Sequence, residues 1–357
     1  MLLHGLIHFM GFSKAFDYGT WPLLIRDISK PMGILWFVAG FLFFLTVAIY
    51  LIKKDSWVYI AFIALFLSQL LIINNWNEAK FGTVANAIIL IVSVLGIFQI
   101  IFKKTYKDEV KIGLSQSPIL QTSNLTESEI AFLPHSVKKY IRYTGSVGKP
   151  KVNNFKAVFL GKIRKNAKSK WMKLSSEQHN FVATPTRLFY LDAIMNYMPV
   201  AGFHCFKNGI AFMDIRLFSM FKVEYQSGYE MDVSETVTFF NDMCVLAPAS
   251  LIDPRIEWFE VERNKIKASF TNNGIKVTAM LYFNEKGELI NFVSDDRYAI
   301  GENGILTKHT WSTPLREYKS IHNYKLASYA ETIYTYHDGD FTYATFTLKN
   351  VNYNLSK

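Results

Sequence analysis

Cysteine is nearly missing from this sequence. Cys205 and Cys244 are the only two in 357 residues, so at most one disulfide can form and no disulfide framework holds the fold. There is no C-x-x-C and no His/Cys cluster with zinc-finger spacing. G-x-x-x-x-G-K-[ST], G-x-G-x-x-G and H-E-x-x-H are absent, as is the G-x-S-x-G nucleophile elbow. Those absences weigh against the common nucleotide-binding, metalloprotease and serine-hydrolase classes. No cofactor is expected.

Charge is missing from three long runs, Pro31–Ile52, Trp57–Ile73 and Thr83–Phe102. A bilayer core about 30 Å thick takes ~20 apolar residues as a helix. A helix satisfies its own backbone hydrogen bonds, so it can cross lipid. Soluble cores rarely supply three adjacent runs of that length, so the runs predict transmembrane helices. Residues 1–16 are apolar but lack the basic start and small-residue cleavage site of a secretory signal. They predict a fourth, shorter membrane helix over about 2–16. Residues 1–104 are therefore a multi-pass region, with helices near 2–16, 31–52, 57–73 and 83–102. Lys53, Lys54, Lys103, Lys104, Lys107 and Lys111 flank the runs on one side. The positive-inside rule then puts the C-terminal domain in the cytoplasm, while Arg26 and Lys30 argue the other way.

Acid is missing from Ile130 to Ser176, a window with twelve Lys and Arg. Lys162, Arg164, Lys165, Lys168 and Lys170 are its densest part. One reading is a face held against anionic lipid headgroups, where each basic residue contributes about 1 kcal/mol. The others are ordinary basic strands and a nucleic-acid surface; no nucleic-acid motif accompanies the charges, so no nucleic-acid partner is expected.

The rest of the chain alternates like strands. Thr105–Asn124, with Pro118, reads as a polar linker. Thr126 and Glu129 form a capping-box pattern that opens a helix continuing through Pro134–Tyr143. Lys207-Asn208-Gly209 signals a hairpin. Asp232–Ala247 reads as one helix capped by Asp232 or Ser234. About ten antiparallel strands with a helix or two, and no βαβ alternation, predict an α+β domain over 125–357. Its expected form is a curved antiparallel sheet, half-barrel-like.

Three constellations are candidates for chemistry. His4 and His8, spaced i, i+4, put two imidazoles on one helix face, as metal or haem ligation requires. Polar packing within a bundle is the plainer reading. Asp295-Asp296-Arg297 predicts an internal Asp–Arg pair, because adjacent strand carboxylates point to opposite faces. The Phe-rich strands offer Phe189, Tyr190, Tyr197, Phe212 and Phe218 as the lining of an apolar-ligand pocket; an ordinary aromatic core is the alternative.

The stretches LPHSVKKYIRYTGSVGKPKV (133–152), VLAPASLIDPRIEWFEVE (245–262), DDRY (295–298) and YAETIYTYHDGDFTYATFTLKNVNYN (329–354) resemble the bacterial DUF6544-type domain family. The resemblance implies a membrane-attached or secreted β-rich domain with no established activity, and a looser similarity to lipoprotein-carrier half-barrels that hold acyl chains. The membrane block, with GLIHFMGF and WNEAKFGTVAN, is similar to small four-helix DoxX-like proteins. Together these readings predict an integral protein of the bacterial cytoplasmic membrane. Its β-domain would bind lipid or another apolar ligand without catalysis. The alternatives are a membrane-linked redox enzyme using His4 and His8, and a scaffold with no small ligand.

Overall fold

The computed structural model describes residues 1–19, 26–117, 123–300 and 305–356. They divide into two compact units, 1–102 and 103–357. Pro118 of the expected linker lies outside the described residues.

The first unit is helical: α1 (Leu2–Ala15), α2 (Lys30–Leu51), α3 (Trp57–Asn74), the single turn α4 (Trp76–Ala79) and the first part of α5 (Gly82–Gln116). Among the described residues three helices, α2, α3 and α5, are long and apolar enough to cross a membrane. At 14 residues α1 is only about 21 Å long, short of a bilayer core. Small residues set the packing of α1 on α2. A Cβ on Gly40 would lie 2.8 Å from the Gly5 carbonyl, and one on Gly11 would lie 2.6 Å from the Trp36 ring. Close backbone approach of this kind is how helices associate where water supplies no drive. The outward faces carry exposed Ile34, Phe41, Phe66, Ile88 and Ile91, surface that lipid tolerates and water does not.

Helix α5 corrects the linker reading. It continues to Gln116 because residues 103–116 combine good helix formers with Tyr106 and Val110, an apolar i, i+4 pair, both buried. Lys104 adds an i, i+4 contact to Asp108 at 2.5 Å.

The second unit is one fourteen-stranded sheet in which every pairing is antiparallel. Its strands are β1 (Asn154–Ile163), β2 (Met172–Phe181), β3 (Thr186–Met195), β4 (Met198–Lys207), β5 (Ile210–Leu217), β6 (Phe221–Ser227), β7 (Ile256–Glu262), β8 (Lys265–Asn272), β9 (Ile275–Phe283), β10 (Leu289–Ile300), β11 (Leu306–Ser312), β12 (Leu315–Ile321), β13 (Tyr324–Tyr336) and β14 (Gly339–Tyr353). The order is β6-β5-β4-β3-β2-β1-β14-β13-β11-β10-β9-β8-β7, with β12 also paired to β13. The extra strands beyond ten escaped sequence reading because their turns use unusual residues. Asn196-Tyr197, Phe218-Ser219 and His322-Asn323 all have positive φ, the geometry of a tight hairpin turn, without a glycine to announce it.

The sheet curls into a half-barrel. Its two wings approach each other where a Cβ on Gly209, in the β4–β5 turn, would lie 2.8 Å from Asn273, in the β8–β9 turn. Arg255 donates across the same gap to the Val182 carbonyl at 2.7 Å. The concave face closes on α7 (Tyr229–Leu246), which touches β4, β5 and β6 on one wing and β9 and β10 on the other. Every residue from Val233 to Leu246 is buried. Phe239, Phe240, Phe270, Phe292 and Trp311 lie in the main core. Helix α7 begins three residues before the expected start, because Asp232 and Ser234 serve the sheet instead of the cap. Asp232 accepts from the Ala211 N–H at 2.6 Å and Ser234 from that of Tyr298 at 3.0 Å. The capping-box bonds of Thr126 and Glu129 form, yet the chain only turns there, and helix α6 spans His135–Tyr143. The opposite face of β2, β3 and β4 is covered by the end of α5, where Tyr106 packs on His179, Tyr190 and Phe203.

Candidate functional site

The concave face of the half-barrel holds charge where a sheet of this kind needs only apolar side chains. Glu235 and Asp242 lie two helical turns apart on α7 and face Arg187 of β3. The Arg187 Nε donates to Asp242 at 2.8 Å, Nη1 to Glu235 at 3.0 Å and Nη2 to the Gln178 amide oxygen at 3.2 Å. Gln178 and Asn180 of β2 donate to the same Asp242 oxygen at 2.7 and 3.1 Å. A buried cation thus meets two carboxylates and a set of amides that satisfy them, which is the condition for burying charge. Burial raises the Asp242 carboxyl above its ordinary value, while Arg187 and Asn180 draw it back. His204 of β4 stands beside this cluster, with its ring 5.6 Å from Phe189. Burial pushes it down to about 4 against the upward pull of Glu235, so its imidazole is neutral at pH 7.

A second arginine enters from the other wing. The pairing of β10 with β11 slips between Ser294 and Arg297, a β-bulge that absorbs Asp295 and Asp296. Bulges re-aim side chains. Here Asp296 takes the Thr278 N–H at 2.8 Å and Lys308 at 3.0 Å, and Asp295 takes the Thr310 hydroxyl at 2.6 Å. The expected Asp–Arg pair does not form. Arg297 instead points to α7: Nε donates to the Tyr334 hydroxyl at 2.9 Å and Nη1 to Thr238 at 2.5 Å, with the guanidinium 4.5 Å from the Trp311 ring centre. It is half-buried.

Beyond the arginines the same face turns apolar. Leu174, Phe189, Leu191 and Ala193 form a cluster separate from the main core, with Ile163 and Phe346 packed on it. Phe346 lies 5.7 Å from Phe159 and 6.4 Å from Phe189, ring centre to ring centre. Tyr334 stacks on Tyr343 at 5.3 Å. Phe159, Phe346, Tyr334 and Tyr343 are only half-buried. Ser176, opposite Leu191 in the register and buried, has a hydroxyl with no hydrogen-bond partner among the described residues.

Of the five aromatics expected to line a pocket, this face holds only Phe189. Strand alternation sends Tyr190 to the opposite face, under Tyr106 of α5, and Phe212 shares that side. Tyr197 and Phe218 are turn residues with φ of 66° and 54°. Tyr197 is fully exposed. The polar half of the site, Gln178, Asn180, Arg187, Glu235 and Asp242, was missed. Its signal was charge inside strand and helix segments that otherwise read as buried.

The acid-free window is balanced in space for part of its length. Arg142 pairs with Glu127, Lys151 with Glu129 and Lys156 with Glu177, each acid lying outside the window. What stays basic is the β1–β2 hairpin. Lys162, Lys165, Lys168 and Lys170 are exposed there and carry no ion pair among the described residues. Arg164 is not part of that free charge: it donates to the Thr342 carbonyl at 2.9 Å and stacks 4.4 Å from the Trp171 ring centre.

In the helical unit His4 and His8 do come together, with ring centres 4.6 Å apart. His8 Nδ1 lies 2.8 Å from the His4 carbonyl and its Nε2 2.9 Å from Ser68. His4 Nε2 lies 2.9 Å from the Asn86 amide oxygen, and Asn86 donates to Gln69 at 3.0 Å. These contacts occupy three of the four ring nitrogens. No group of three potential metal ligands occurs among the described residues.

No curated protein matches the sequence. Solved structures similar to it include a LolA superfamily protein from Nitrosomonas europaea, at 8% identity and TM-score 0.30, covering 62% of this chain and 93% of that one. A putative outer membrane lipoprotein-sorting protein domain from Vibrio parahaemolyticus is similar at 9% identity and TM-score 0.29, covering 57% and 87%. A DUF1329 family protein from Desulfovibrio piger is similar at 9% and 0.30, covering 62% and 93%. Residues 123–346 match the model of a family of unknown function, DUF6544, and the chain belongs to that family.

Proposed function

We propose that this protein is a non-catalytic, membrane-held binder that takes a lipid or another apolar ligand on the concave face of its half-barrel. The observation that carries the reading is the separate aromatic cluster around Phe189, which continues the concave face past α7 and leaves Phe159, Phe346, Tyr334 and Tyr343 half-buried. An apolar lining with a few convergent polar groups is the usual make-up of a small-molecule site. Helices α2, α3 and α5 hold the chain in the membrane, in the bacterial cytoplasmic membrane on this reading and with the β-domain on the cytoplasmic side. The four exposed lysines of the β1–β2 hairpin give that domain a contact for anionic headgroups.

Mass spectrometry of the detergent-solubilised full chain tests the binding. The expected result is a copurifying lipid or other apolar molecule in the wild type and its loss in Ala193→Trp, which fills the aromatic cluster. A ligand-free wild type that takes up no added lipid would sink the proposal. For the headgroup contact, amide exchange across 164–171 should slow in nanodiscs containing anionic lipid relative to neutral ones.

A further inference from the structure

Arg187 and Arg297 share one concave face, and only the first makes an ion pair; Glu235 acts on Arg297 at longer range. A guanidinium has five N–H donors. At Arg297 one goes to Tyr334 and one to Thr238, both neutral hydroxyls. Among the described residues no carboxylate lies within ion-pair distance of it, because Glu235 and Asp242 are taken by Arg187 and Asp295 and Asp296 by the bulge. Cations drawn into a protein interior are normally paired. Three donors of Arg297 therefore remain, on a group whose plane is set by Trp311 beneath it and by two fixed hydroxyls. A fork held in this way suits bidentate recognition of a carboxylate or a phosphate. His204, which feels the charge of Arg297, lies 5.6 Å from Phe189, where the face turns apolar, and the buried Ser176 hydroxyl is also unpartnered among the described residues.

We propose that Arg297 holds the anionic end of a single-chain amphiphile, carboxylate or phosphate, whose hydrocarbon lies along the aromatic cluster of Phe189 and Phe346. This rests on the concave face being an apolar-ligand site, and it adds the ligand's charge and polarity of entry. The hydroxyls of Tyr334 and Thr238 act as positioning groups, and Arg187, its charge paired with Glu235 and Asp242, takes no part in the contact.

The test uses the full chain in neutral detergent with four probes: carboxyl-labelled palmitate followed by carbon NMR, hexadecanol, lysophosphatidate and inorganic phosphate. In the wild type, bound palmitate should give a separate carboxyl resonance that keeps its ionised shift at pH values where micellar palmitate protonates. Lysophosphatidate should displace it, and inorganic phosphate, which has no chain, should not. Arg297→Gln should weaken palmitate by about tenfold or more, the worth of a charge-assisted contact, and leave hexadecanol within about twofold. Arg297→Lys should restore part of the loss, and retained hexadecanol binding shows that each variant is folded. Equal binding of palmitate and hexadecanol, unchanged in Arg297→Gln, would overturn the anion site while leaving the apolar reading intact. Displacement by inorganic phosphate as effective as by lysophosphatidate would make this a site for free anions and overturn the amphiphile. If none of the three chain-bearing probes binds, the apolar reading fails and this inference falls with it.

Discussion

The two wings of the half-barrel each send an arginine to helix α7, and they treat it differently. On the β3 wing Arg187 meets Glu235, Asp242 and Gln178, a closed set of charged and amide partners. On the β10 wing Arg297 lies over the Trp311 ring and, among the described residues, hydrogen-bonds only to the hydroxyls of Tyr334 and Thr238. A closed network rigidifies the place where it sits, and an open one leaves bonding capacity for something else. The difference separates a structural clamp from a candidate binding group, although both arginines occupy strands of the same sheet.

Among single substitutions the largest effect should come from breaking the clamp. Arg187→Met strands two buried carboxylates, which typically costs 3–5 kcal/mol, about what a domain of this kind can lose before unfolding. Chemical denaturation of the solubilised full chain reads it. If Arg187→Met proves no more damaging than Arg297→Gln, the contrast between the wings is wrong.

Acid, acting on two groups at once, should weigh at least as much. Burial holds both His204 and His179 at about 4, against an ordinary value of 6.5. Each imidazole is neutral in folded and unfolded chains above 6.5, and between 6.5 and 4 only the unfolded chain takes the proton. Stability is therefore intact above pH 6.5 and falls as the pH drops towards 4, by on the order of 3 kcal/mol per imidazole at the acid end. Thermal melts across that range check it, and His204→Gln should flatten part of the slope.

Arg297→Gln should cost less, on the order of 1–2 kcal/mol, because it removes bonds to two neutral hydroxyls and breaks no ion pair, Glu235 keeping its contact with Arg187. Its main effect belongs in ligand binding. Smallest is Tyr197→Gly. With φ at 66° and a fully exposed ring, Tyr197 gives up strain and no packing, so stability should hold or rise by up to about 0.5–1 kcal/mol with binding unchanged. A loss of binding there would return Tyr197 to the site from which its turn position removes it.

Much of the architecture was legible in order along the chain. The three uncharged runs became α2, α3 and the first part of α5, since length and apolarity alone decide that a helix can sit in lipid. The hairpin at Asn208-Gly209 formed, because those residues accept positive φ. The turns at Tyr197 and Phe218 were not legible: nothing local makes an aromatic residue adopt that backbone, and the pairing of the flanking strands imposes it. The extension of α5 to Gln116 was hidden for a related reason. Its apolar spacing of Tyr106 and Val110 matters only once there is a sheet face for them to cover.

The candidate site was read one face too wide. Phe189 and Tyr190 are neighbours in sequence and belong to opposite sides of the sheet, and no composition argument separates them. The basic window, uniform in sequence, was cut down by acids that fold in from elsewhere, leaving the four lysines of the β1–β2 hairpin. The sequence by itself determined the apolar helices, the antiparallel strand content and the family, because these depend on residue type and local periodicity. Only the tertiary structure decided that Arg187 is paired and Arg297 is not. That depends on which side chains two distant strands and a helix bring within 3 Å of each other, and charge counting along a chain carries no such distance.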